Sequence, residues 1–116
     1  MREIYIDLSN DKYSPVVFGG YVGEHNETKV IIKLPNRMLT NDITKYQFVF
    51  KNSKNEIQSD NDVDTSGINN GEVNTLLTEK QTIGGCLICN VAAIAEKDGV
   101  IIRRAKTPLV FLKVRA

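Results

Sequence analysis

Side chains alternate between apolar and polar over short stretches along nearly the whole chain. Ile4, Ile6 and Leu8 alternate with Glu3, Tyr5 and Asp7. Thr28, Val30, Ile32 and Leu34 interleave with Glu27, Lys29, Ile31 and Lys33; Tyr46, Phe48 and Phe50 with Gln47 and Lys51; Val110, Leu112 and Val114 with Lys113 and Arg115. Consecutive residues of a strand point to opposite faces, so each stretch reads as a strand with one buried and one wet face. Sheets with a wet face are usually antiparallel, because parallel sheets are covered on both sides.

Turn residues punctuate the same plan. Asp98-Gly99 separates the apolar run Cys86–Ala95 from Val100–Ile102, a strong hairpin signal. Ser66-Gly67, Asn70-Gly71 and Gly84-Gly85 mark further turns, since Gly and Asn reach positive φ cheaply. Pro15, Pro35 and Pro108 stand at the ends of apolar runs, where a missing N–H costs little. About eight strands are predicted, near 3–8, 16–22, 27–34, 44–51, 54–58, 71–77, 85–96 and 99–114, the last breaking near Pro108. Helix evidence is confined to one turn within Leu76–Thr82. The expected fold is all-β: an antiparallel two-sheet immunoglobulin-like sandwich in a single domain over residues 1–116. The Cys…Trp…Cys signature of antibody domains is absent.

Composition narrows the function. With 41% hydrophobic and 25% charged residues the chain has the balance of a globular domain. Its 15 Lys+Arg against 14 Asp+Glu leave a net charge of +1. Such a charge gives little long-range attraction to nucleic acid or to an anionic membrane, so neither is an expected partner. Glu3 and Asp7 interrupt any apolar stretch of a signal peptide, and no run approaches the roughly 18 residues that span a bilayer. The expectation is folding in a reducing cytosol, with both cysteines as thiols.

Each candidate chemical group has a structural reading that suits it better. Cys86 and Cys89 spell C-x-x-C, but residues three apart on a strand face opposite sides and cannot share a metal or bond each other. Zinc would need two more soft ligands, and His25 is the only histidine. Asp60-Asn61-Asp62-Val63-Asp64 resembles the start of a calcium loop, yet Thr65 and Gly71 stand where such a loop needs Gly and Glu. It reads as a solvated acidic loop. His25 falls in a polar turn, with no nucleophile or orienting carboxylate that the sequence can place beside it. Tyr5, Tyr13, Tyr21 and Tyr46 are the residues from which a sugar-stacking platform would be built, although tyrosine is also an ordinary strand residue. No catalytic, metal-binding or cofactor-binding residue is therefore assigned, and the chain is not expected to be an enzyme.

Charge is unevenly spread. Residues 52–79 carry Lys54 against Glu56, Asp60, Asp62, Asp64, Glu72 and Glu79, whereas residues 97–116 carry six basic side chains against Asp98. Opposed charged regions allow acidic-to-basic stacking between molecules, which either closes rings or grows lines.

Taken in order, these elements resemble the N-terminal domain of the phage baseplate upper protein family. The likeness runs from the strand Ile4–Leu8 through the turn Gly23-Glu24-His25-Asn26, the strand Thr28–Leu34 and the Phe-rich strand Tyr46–Lys51. It continues through the turn Asn52–Asn55, Gly71-Glu72-Val73, Leu77-Thr78, the Gly84-Gly85 opening of the long strand, the Asp98-Gly99 hairpin and a closing strand ending at Val114. The resemblance implies a non-enzymatic tail or baseplate structural protein, an assembly or attachment module of the virion made in the bacterial cytoplasm. Its partners would be other tail and baseplate proteins, with homo-oligomerisation expected. Members continue into a helical or fibre-forming region, while this sequence ends at Ala116, as a single-domain relative or as the docking half alone would.

Exposed strand edges are the expected means of assembly, with Glu3–Leu8 the first choice. Deleting residues 1–9 is then expected to abolish assembly and leave a folded remainder. The alternative occupation is a small carbohydrate-binding module, which predicts two or three tyrosines exposed on one sheet face or loop rim beside polar neighbours; burial of Tyr5, Tyr13 and Tyr21 would end it.

Overall fold

The computed structural model describes residues 1–60 and 63–116. Among them are nine strands: β1 (Arg2–Asp7), β2 (Val16–Tyr21), β3 (Thr28–Lys33), β4 (Lys45–Lys51), β5 (Ile57–Asp60), β6 (Glu72–Leu76), β7 (Gly85–Lys97), β8 (Val100–Lys106) and β9 (Val110–Arg115). Short 3-10 turns occupy Asn36–Met38 and Ile68–Asn70. The strands form two sheets, one ordered β1-β3-β6 and the other β2-β9-β7-β4-β5 with β8 alongside β7.

Alternation places the core as expected. Ile6, Leu8, Val30, Ile32, Leu34 and Val73 of the smaller sheet join Phe48, Phe50, Leu87, Val91, Leu112 and Val114 of the larger in one buried cluster. Phe48 and Phe50 stack with ring centroids 5.9 Å apart and planes 11° from parallel. A side chain of this size contributes about 1.5–3 kcal/mol when fully buried, so the seam between the sheets holds the fold together.

Pairing direction departs from the sequence reading. β1 pairs with β3, and β2 with β9, in parallel; the other pairings among the described residues are antiparallel. The sheets are therefore mixed. Both parallel pairs join strands that are not consecutive: β2 of the other sheet intervenes between β1 and β3, which lets them run the same way. Alternation reports which face a residue takes and is silent on the direction of the neighbouring strand.

The break near Pro108 is real, and it gives β7 two successive partners on one side. Residues Gly85–Cys89 pair with β9, and Ala92–Lys97 with β8. Thr107 holds the junction: its N–H donates to the Val91 carbonyl at 2.9 Å, and its hydroxyl oxygen accepts the Val91 N–H at 3.0 Å. β5 starts later than expected because the Asn52 side chain organises the preceding turn. Its carbonyl oxygen accepts the N–H groups of Lys54 and Glu56, each at 3.0 Å. The single turn expected within Leu76–Thr82 appears as Gln81 and Thr82 N–H groups donating to the Thr78 carbonyl.

β1 lies at the edge of the smaller sheet, as edge assembly requires. It is not dispensable, however: Ile6 and Leu8 are core residues, so the folded remainder expected after deletion is at odds with the packing.

Candidate assembly surface

β7 is 13 residues long, and at about 3.3 Å per residue it spans roughly 40 Å. The longest dimension of the molecule is 43 Å, against 26 and 25 Å for the others. β4 accompanies β7 only as far as Ile94, opposite Lys45. Beyond that point β7 has β8 alone for a neighbour, and the two form a projecting hairpin. Its tip is Asp98-Gly99 with φ of 54° and 78°, the consecutive positive values that a tight two-residue turn demands.

Three successive aliphatic side chains on this hairpin meet solvent: Val100 is 63%, Ile101 45% and Ile102 63% exposed. Val100 and Ile101 point to opposite faces, and Ile102 is the extra residue where the register shifts between Ala95 and Glu96, so the body of the domain covers neither face of the ribbon there. Ion pairs fix the root. Lys45 Nζ lies 2.8 Å from Glu96 Oε1, and Arg103 donates to both carboxylate oxygens of Asp42 at 3.0 and 3.1 Å and to the Thr40 hydroxyl at 2.6 Å. The Arg103 guanidinium and the Thr40 hydroxyl together lower the Asp42 carboxyl from 3.8 to about 2. A carboxyl lowered in the folded state contributes stability above its unfolded value and loses it as pH falls through the folded one. The Arg103 side-chain NMR signal is therefore expected to titrate with a midpoint near 2, and Asp42→Asn is expected to abolish that transition. A midpoint at 3.8 would mean that the pair does not form in solution.

A second cluster, not anticipated from sequence, ties the two sheets together. Arg2 of β1 donates to Glu24 Oε1 at 3.0 Å and to the Thr28 hydroxyl at 2.7 Å. Its guanidinium carbon stands 5.0 Å from the Phe18 ring centroid and 5.7 Å from that of Tyr21. The same Glu24 oxygen accepts the Tyr21 N–H at 2.7 Å. Gly20 permits this approach: its φ is 113°, and a Cβ there would stand 2.6 Å from Glu24 and 2.7 Å from Arg2.

The residues weighed for chemistry are dispersed. Cys86 is exposed and Cys89 buried, on the opposite faces that strand geometry required, and burial pushes the Cys89 thiol up to about 12. His25 lies exposed in its turn, its Nδ1 accepting the Glu79 N–H at 3.2 Å. In the acidic stretch 60–64, residues 61 and 62 lie outside the described residues. Asp64 pairs with Asn74 of β6, and its carboxylate accepts the Ser66 N–H at 2.8 Å. Tyr5, Tyr13 and Tyr21 are exposed, as a sugar platform requires. They do not assemble one: Tyr5 lies on the outer face of the smaller sheet, whereas Tyr21 packs edge-on against Phe18 on the outer face of the larger. Tyr46 is half-buried and donates its hydroxyl to the Met38 carbonyl at 2.7 Å.

Two depressions mark the surface formed by the described residues. One, of about 700 Å³, lies between β5 and β6, with Lys29, Gln58, Ser59, Asn74, Leu76 and Lys80 in its lining. The other is shallow and apolar, on the outer face of the larger sheet, where Val49, Ile57, Ile88 and Leu109 meet beside Lys51 and Lys106. It continues a row that crosses the five main strands of that sheet from Ile57 through Lys51, Ile88 and Phe111 to Val16.

No protein-family model matches the sequence, and no curated protein matches it. Among solved structures, the N-terminal domain of phage TP901-1 ORF48 matches with a TM-score of 0.70 at 16% sequence identity, over 100% of this chain and 100% of that one. The two share a fold. The common architecture extends from β1 to β9, agreeing with the extent of the likeness drawn from the order of strands and turns.

Proposed function

We propose that the protein is a non-enzymatic structural component of a phage or prophage tail, an assembly or attachment module of the baseplate. The single observation that carries this reading is the end-to-end fold likeness to a domain of a phage protein. The surface agrees with it. Solvent-facing apolar groups occur as a projecting hairpin and a row across an open sheet, features suited to contact with other proteins rather than to enclosing a small substrate. Partners are other tail proteins and further copies of the chain.

The test is the composition of particles. Quantitative mass spectrometry of particles purified from a lysogen carrying the sequence is expected to find the chain in the tail fraction at several copies per particle. Detection only in the soluble fraction, beside tail proteins that do sediment, would overturn the proposal.

A further inference from the structure

We infer that the β7–β8 hairpin is a docking arm that seats its Val100–Ile102 tip in an apolar groove of a different protein, a groove bordered by carboxylates. The inference rests on the reading of the domain as a tail assembly module and names the surface and the partner chemistry involved. Exposed strands in monomeric proteins are generally blunted by charge or covered by the body; here three adjacent aliphatics stand uncovered at the end of a ribbon with its root held by two ion pairs. Those exposed pairs add little stability, but they set the direction of the arm, so less freedom is lost when it docks.

Charge selects the partner. Lys97, Arg104 and Lys106 are exposed along the arm and make no ion pair among the described residues; Asp98 is the one acidic residue at the tip. The hydrogen-bonded pairing of Thr107 with Val91 turns the backbone N–H and C=O of Arg104 away from β7. The neighbouring Lys106 carbonyl already accepts from Arg37 at 2.5 Å. A partner that covers the aliphatics must therefore also meet a row of cations, and carboxylates at its rim supply the matching charge.

A second copy of this chain fits poorly. Antiparallel pairing of β8 with a second β8 about Arg104 sets that arginine against its own copy, like charge facing like. The chain's own apolar depression is bordered by Lys51 and Lys106, like in sign to the arm, and its larger groove carries Lys29 and Lys80 against Asp64 in its lining.

The experiment uses the full chain in particles. A benzophenone amino acid replacing Ile102 is expected to crosslink to one other tail protein. Ile101→Asp combined with Ile102→Asp, and separately Arg104→Glu combined with Lys106→Glu, are each expected to lower incorporation at least about tenfold, with an unchanged melting temperature. Crosslinks solely between copies of this chain, wild-type incorporation of the aspartate variant, or increased incorporation of the charge-reversed variant would each overturn the inference. Absence of the wild-type chain from particles would instead remove the assembly-module reading, and the docking arm with it.

Discussion

Removing residues 1–9 is expected to leave an unfolded chain rather than a shortened domain. The deletion takes Ile6, 3% exposed, and Leu8, 1% exposed, out of the seam between the sheets. It also removes the strand that pairs with β3 from Thr28 to Lys33, exposing one side of the ladder that holds Val30 and Ile32. Each buried aliphatic is worth about 1.5–3 kcal/mol in transfer alone, and the cavity it leaves adds to that. A small domain has a net stability of about 5–15 kcal/mol in total, so losing two core residues and an edge strand together exceeds its margin. Arg2, the cation linking Phe18, Tyr21 and Glu24, is lost with them. Circular dichroism and NMR dispersion provide the check. A cooperative melt within a few degrees of the intact chain would mean that β1 is an accessory and that the seam lies elsewhere.

Phe48→Ala is the single substitution expected to cost most. Phe48 has no solvent exposure, sits on the central part of β4, and stacks on Phe50. Truncating a buried Phe costs about 3–5 kcal/mol, which in a domain of this size lowers the melting temperature by roughly 10–20 °C. Ile57→Ala is the control. Ile57 is equally apolar but 70% exposed on the outer face of β5, and its loss is expected to stay within about 0.5 kcal/mol. Register makes the contrast sharp, since sliding β4 by one residue would send Phe48 to solvent and Val49 to the core. Equal losses from the two substitutions would contradict the assigned faces.

The tail assignment and the arm bear differently on experiment. The first concerns whether the chain enters particles, whereas the second concerns which ten or so ångströms of it make the contact, a matter of the exposed ribbon beyond Ile94. Salt separates the components of that contact: the cationic collar of Lys97, Arg104 and Lys106 is screened within about 8 Å at physiological ionic strength, while the aliphatic tip is not.

Residue pattern alone determined the strands, their faces and their turns, because alternation and positive-φ residues are properties of a few neighbours in the chain. It placed Phe48 and Leu112 inside, put Cys86 and Cys89 on opposite faces, and located the Asp98-Gly99 turn and the break at Pro108. Tertiary structure alone decided what depends on distant partners. It turned β1 parallel to β3 and β2 parallel to β9, brought Arg2 to Phe18 and Tyr21, and separated Tyr5 from Tyr21 onto opposite outer faces. Val100, Ile101 and Ile102 show the division most clearly: in sequence they are as apolar as any core strand, and only the end of β4 at Lys45 leaves them in water. Hydrophobicity belongs to a residue, whereas burial belongs to the arrangement of its neighbours.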